Sequence, residues 1–182
     1  MSVQTRLSVE EFERIAALPE NAHKRLEFIG GEIVEVVSNS DASEIAANLL
    51  AAIQVFVKAH NLGRVTGADG GYRVSGEDYI PDVGFISKSR QPQRPHVTWN
   101  PLAPDLAVEV VSPTDRPQHI ADKAVNYVLA GTLLWYVYPD ERQVKVYAPG
   151  QPVKTLSIND VLDGGQVLPG FTLAVKDIFP TE

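Results

Sequence analysis

The chain has 182 residues, 44% of them hydrophobic and 21% charged, which fits one globular domain with a sizeable core and excludes wholesale disorder. With no cysteine it can form neither a disulfide, nor a thiolate nucleophile, nor a Cys-ligated zinc site. Its net charge of −7 excludes nucleic-acid binding through bulk positive charge, so phosphate contacts have to come from a local basic groove, and the basic residues concentrate only modestly, from Lys88 to Arg94.

The opening residues, Met1 to Glu13, lack the apolar run of a secretory signal, and no stretch is expected to reach the length a membrane span needs. The expected setting is therefore a soluble, cytoplasmic one. Leu7 to Ile15 reads as a short helix, with Ser8 at the N-cap and Glu11 at capping-box spacing. Arg25 to Val37 reads as a hairpin around Gly30-Gly31, a pair suited to positive φ angles. Ser43 to His60 is the clearest helix, with Ile45, Leu49, Ile53 and Phe56 at helical spacing and Ser40 or Asp41 as expected caps.

Short strands follow at Gly63–Thr66, Gly71–Val74 and Pro81–Ile86, then a polar, Pro-rich loop from Ser87 to Pro101. Leu106 to Val111 is an apolar strand of the kind buried on both faces. A helix is expected from about His119 to Leu129, stopped by Gly131, with Ala121, Ala124, Val125 and Val128 as its apolar face. Leu133–Tyr138 and Gln143–Tyr147 read as two further strands joined by a hairpin, and the remainder as a polar loop with a short closing segment. No repeat or linker interrupts the order, so the expectation is a single α/β (α+β) domain over residues 1–182, built around a mixed sheet.

Glu109 is the most informative residue. An ionised carboxylate inside Leu106-Ala107-Val108-Glu109-Val110-Val111 costs several kcal/mol, roughly, unless paired or bound to a cation. Asp82 follows Pro81 at the start of another strand, and if the two strands are neighbours their carboxylates converge on a site suited to a hard divalent cation. An edge position, an arginine partner or a dimer contact would satisfy Glu109 equally well. Lys123 stands at the border of the apolar face of its helix, where it can either snorkel to solvent or reach the sheet end. His23, His60, His96 and His119 show no metal-ligand spacing among themselves, and neither a Gly-x-Ser-x-Gly nucleophile motif nor a phosphate-cradling glycine loop is present.

The segments "YIPDVGFI", "PDLAVEVVSPTD", "DKAVNYVLAGTLLWYVYPDERQVKVYAP" and "LPGFTLAVKDIF", preceded by "RLEFIGGEIVEV" and "SEIAANLLAAI", run collinearly from about Leu26 to Phe179. Together they resemble a large bacterial family of restriction-endonuclease-like proteins within the PD-(D/E)XK nuclease superfamily. The resemblance implies a restriction-endonuclease-like core over about residues 26–179, a central mixed sheet flanked by helices with an N-terminal hairpin. It matches Asp82 to the aspartate of "PD" and Glu109 to the acid of "(D/E)XK". The motif's lysine would fall on Val111, and Lys123 takes the place of a lysine that such proteins carry in the following helix.

The same resemblance implies a magnesium- or manganese-dependent endonuclease acting on DNA. Asp82, Glu109, Lys123 would be catalytic, and Asp82, Glu109 and the Val110 backbone carbonyl would hold the metal. Glu27 in the first hairpin, and more weakly Glu44 in the first long helix, are possible auxiliary acids. The alternative is a non-catalytic nucleic-acid or protein interaction module on the same fold. A homodimer is also expected, held partly through the aromatic-rich segment Leu133 to Tyr147.

Overall fold

The structure, a computed structural model, describes residues 7–180. It begins with helix α1 (Val9–Ala16), whose Ser8 and Glu11 form the expected capping box. A single 3-10 turn leads to the hairpin β1 (Leu26–Ile29) and β2 (Glu32–Glu35), reversed at Gly30 and Gly31, both at positive φ. Helix α2 (Ser40–Ala59) starts earlier than its apolar period suggests because Asn39, rather than Ser40 or Asp41, is the N-cap, its side chain accepting from the Ala42 amide.

Strands β3 (Gly63–Thr66), β4 (Gly71–Val74), β5 (Glu77–Tyr79), β6 (Val83–Ser87), β7 (Trp99–Asn100) and β8 (Leu106–Val110) follow, then α3 (Pro117–Leu129). The chain closes with β9 (Leu133–Tyr138), β10 (Gln143–Tyr147), β11 (Lys154–Leu156), β12 (Val161–Asp163), β13 (Thr172–Ala174) and a 3-10 turn. Strand β5 was not legible in the sequence: Glu77-Asp78-Tyr79 has little apolar signal and is fixed by pairing with β1 and β4. Likewise β11 to β13 are short strands where a loop is expected from composition.

The centre is a six-stranded mixed sheet in the order β11-β10-β9-β8-β6-β3. Its one parallel pair is β8 with β9, connected through α3 as the crossover helix. A five-stranded sheet, β2-β1-β5-β4-β7, carries the N-terminal hairpin.

Period-two alternation divides the central sheet into two faces. Val83, Phe85, Leu106, Val108, Trp135 and Val137 pack in one core with the α2 stripe Ile45, Leu49, Ile53 and Val57. On the other face Ala107, Leu134 and Tyr136 meet Ala124 and Tyr127 of α3 and Tyr72, Val74 and Tyr79 of the second sheet. Glu109 points to this second face.

One sequence expectation needs correction. Helix α2 has 20 residues and a mean hydropathy of 1.3 in its most apolar window, so by length and composition one helix among the described residues is long enough to cross a membrane. Its apolar stripe is nevertheless used as a core face, with Leu49 and Ile53 fully buried against the sheet. Within the segment Leu133 to Tyr147, β9 is hydrogen-bonded on both edges, by β8 and β10, and Leu133 to Val137 are buried, so its accessible surface lies in residues 138–147.

Candidate active site

Three carboxylates and one lysine meet where β1, β6, β8 and α3 converge. Glu109, in β8, faces α3 because its neighbours Val108 and Val110 fill the opposite core. Register places Asp82 across from it. The β6–β8 pairing sets Val83 against Val108 and Gly84 against Ala107, so one further step brings Asp82 opposite Glu109. Asp82 Oδ2 accepts a hydrogen bond from the Val110 amide at 2.8 Å. Glu27 comes from the fully buried strand β1, and its Oε1 accepts from the Ile80 amide at 2.6 Å.

Lys123 is the hub. Its Nζ lies 2.8 Å from Glu109 Oε2 and 3.0 and 3.2 Å from the two oxygens of Glu27. One helical turn further on, Tyr127 donates its hydroxyl to Glu109 Oε1 at 2.8 Å. Lys123 also sits 5.3 Å from the centre of the Tyr79 ring. The sequence expectation of a border lysine is corrected here: α3 buries Lys123, Ala124 and Tyr127, while Val125 is 58% exposed. A helical wheel favours the apolar residues, but only the carboxylates of β1 and β8 make a buried ammonium tolerable at the centre of the face.

Burial pushes the Glu109 carboxyl up to about 8, against the opposing pull of Lys123 and with the help of Glu27 and Asp82. Burial also raises Asp82, while the Val110 amide and Lys123 pull it down. For Lys123, burial alone would lower the pKa, but Glu109 and Glu27 outweigh it and hold the ammonium above the ordinary lysine value. An ion pair normally lowers its acid partner; here desolvation of Glu109 wins because one ammonium is shared among several carboxylates.

The cluster opens into a cavity of about 390 Å³ lined by Glu27, Asp82, Glu109, Val110 and Lys123, with Glu32, Arg116 and His119 also on its walls. Glu44 is not brought here: it lies on an exposed position of α2 outside the cavity lining. Among the described residues no group of three or more His, Asp or Glu side chains forms a metal-binding cluster. Magnesium, however, usually takes only one or two protein carboxylates and keeps waters. Asp82 and Glu109 provide that hard-oxygen pair, and each carboxylate oxygen retains lone pairs beyond its present hydrogen bond. Three carboxyl groups sharing one ammonium are also a setting in which a cation would favour the ionised forms that burial opposes. The donor set fits a divalent ion.

The residues not found from sequence are Tyr127 and the Ile80 amide. Tyr127 had a usable signal in its i, i+4 relation to Lys123; Ile80 had none, because its amide is recruited only by tertiary packing.

Fold and site together define an α/β protein of the restriction-endonuclease-like class, a mixed sheet with an acidic cluster and a lysine at one end. A family model described as "Putative restriction endonuclease" matches residues 9–176, and the chain belongs to this family, Uma2. Its fold is similar to that of a protein from Anabaena variabilis ATCC 29413 described as a "putative nuclease belonging to DUF820". The TM-score is 0.83 at 23% identity, over 95% of this chain and 97% of the other. No curated protein matches the chain.

Proposed function

We propose that the chain is a divalent-metal-dependent nuclease that hydrolyses phosphodiester bonds, with DNA as substrate and Mg2+ or Mn2+ held by Asp82, Glu109 and the Val110 carbonyl. The observation that carries this reading is the gathering of Asp82, Glu109, Glu27 and Lys123 in one cavity, with Glu109 and Glu27 both paired to Lys123. Membership of the restriction endonuclease family supports it. When bound, the cation supplies Lewis acidity toward water and the phosphate.

The chain's own residues set the rest. Lys123, kept protonated between Glu109 and Glu27, offers a fixed positive charge to the phosphate as negative charge builds on it. Glu27 acts as a positioning residue, anchored to the Ile80 amide on one side and to Lys123 on the other. Tyr127 fixes the rotation of the Glu109 carboxylate through its second oxygen.

A second reading, a non-catalytic binding module, is favoured by one observation: both Glu109 oxygens already have partners, Lys123 and Tyr127, as in a purely structural polar network. The test uses Asp82→Asn, which keeps an oxygen for the Val110 amide while removing the charge. Wild-type protein should nick plasmid DNA only with Mg2+ or Mn2+, and Asp82→Asn should lose about a hundredfold or more in rate. Mn2+ should raise the melting temperature of the wild type and not of the variant. Wild-type protein that neither nicks DNA nor responds to Mn2+ would leave the binding module standing.

A further inference from the structure

Arg116 is the N-cap of α3, in extended conformation, His119 stands in the first turn of the helix and Lys123 four residues further on, and all three line the cavity. Lys123 is committed to Glu109 and Glu27. The other two are not held by the buried acids. Both instead face one carboxylate from across the cavity, that of Glu32 on β2: Arg116 Nη1 lies 3.1 Å and His119 Nε2 3.5 Å from the same oxygen, Oε2. Glu32 is on an edge strand, since β2 ends the five-stranded sheet, and its side chain is 60% exposed. His119, by contrast, is only 14% exposed at its side chain, set into the cavity wall.

We infer that Arg116 and His119 form a phosphate subsite for the nucleic-acid strand, and that the Glu32 carboxylate occupies it in the absence of substrate. This rests on the nuclease reading of the adjoining cavity. A carboxylate and a phosphodiester present the same chemistry to an arginine fork, two oxygens sharing one negative charge. An exposed ion pair contributes little to stability, so a phosphate can displace Glu32 at small cost. His119 and Lys123 are four residues apart, a rise of about 6 Å along α3, which a single nucleotide step can span. A strand whose scissile phosphate lies at Lys123 therefore reaches Arg116 and His119 with a neighbouring phosphate. The subsite supplies local positive charge that the chain's net charge of −7 does not. It also makes Glu32 a competitor of the substrate: its charge keeps the mouth of the cavity closed to weakly bound anions.

The experiment is equilibrium binding of a short labelled DNA duplex by fluorescence anisotropy in EDTA, where hydrolysis is blocked and no metal contributes. Arg116→Ala and His119→Ala should each weaken binding roughly three- to tenfold, with Arg116→Ala lowering the salt slope by about one. Glu32→Gln should tighten binding by a similar factor, and none of the three should shift the melting temperature appreciably. Unchanged or weaker binding by Glu32→Gln, or full affinity in Arg116→Ala, overturns the subsite. The two readings separate cleanly. If Asp82→Asn abolishes nicking while these three variants bind like the wild type, the nuclease stands and the subsite falls. If the wild type never nicks DNA but Glu32→Gln still binds it more tightly, the subsite stands on a binding module.

Discussion

Glu109 is 8% exposed and shares one ammonium with Glu27, so desolvation holds its ionisation in check more than Lys123 favours it. The linkage has a definite sign. The folded-state value, about 8, lies above the ordinary value of 4.5, so the folded protein retains a proton that the unfolded chain has lost. The stabilisation is complete below the ordinary value and disappears as pH rises through the folded one. In EDTA, Glu109→Gln should therefore gain on the wild type between pH 5 and pH 8, by roughly 5 °C or more in melting temperature at the upper end. Mn2+ should narrow that gap by stabilising only the wild type. A gap that stays flat with pH would mean that Glu109 is ionised throughout, fully matched by Lys123. Why was Lys123 hard to place from sequence? Its partners come from residues 27 and 109, and nothing within α3 itself signals that a lysine can be buried there.

At the level of elements, small residues decide how closely the two sheets approach. Gly84 of β6 is paired with Ala107 of β8. A Cβ at Gly84 would stand 2.7 Å from the Tyr72 ring and 2.9 Å from Thr66 Oγ1, whose hydroxyl is hydrogen-bonded to that of Tyr72. Tyr72 is 2% exposed. Gly84→Ala is thus expected to destabilise the protein by about 1–3 kcal/mol through overpacking, read as a lower urea midpoint. Because β6 begins one residue after Asp82, the same change should also weaken the Mn2+-induced thermal shift. A neutral Gly84→Ala would show that Tyr72 has freedom the packing does not suggest. The hairpin β1–β2, α2, β9 and β10 could be read from turn glycines and apolar period, since each carries its own local signal. Strands β5 and β7 could not, because they are short and are defined by their partners.

For the whole molecule, the central sheet separates stability from chemistry. One face packs on α2, the other on α3 and the second sheet, and the charged side chains Glu109 and Lys123 reach the cavity from the latter. Leu49→Ala, in a fully buried position on the α2 side, should cost about 2–5 kcal/mol by chemical denaturation. Mn2+ affinity should remain unchanged under conditions where the variant is folded, because Leu49 contacts the face of the sheet away from Glu109. Loss of metal affinity in a folded Leu49→Ala protein would mean that the two faces are coupled through β8.

By itself the sequence determined the α/β order, the mixed central sheet and the two acids worth attention, Asp82 and Glu109, because periodicity, turn residues and the energetic cost of a charge in an apolar strand are local properties. Tertiary structure alone decided that β1 brings Glu27 beside Glu109, that α3 turns Lys123 inward rather than Val125, and that Glu44 stays outside. Those outcomes depend on which charges meet across strands distant in the chain. A buried ion is tolerated only where its counter-ions and hydrogen-bond donors have already been assembled.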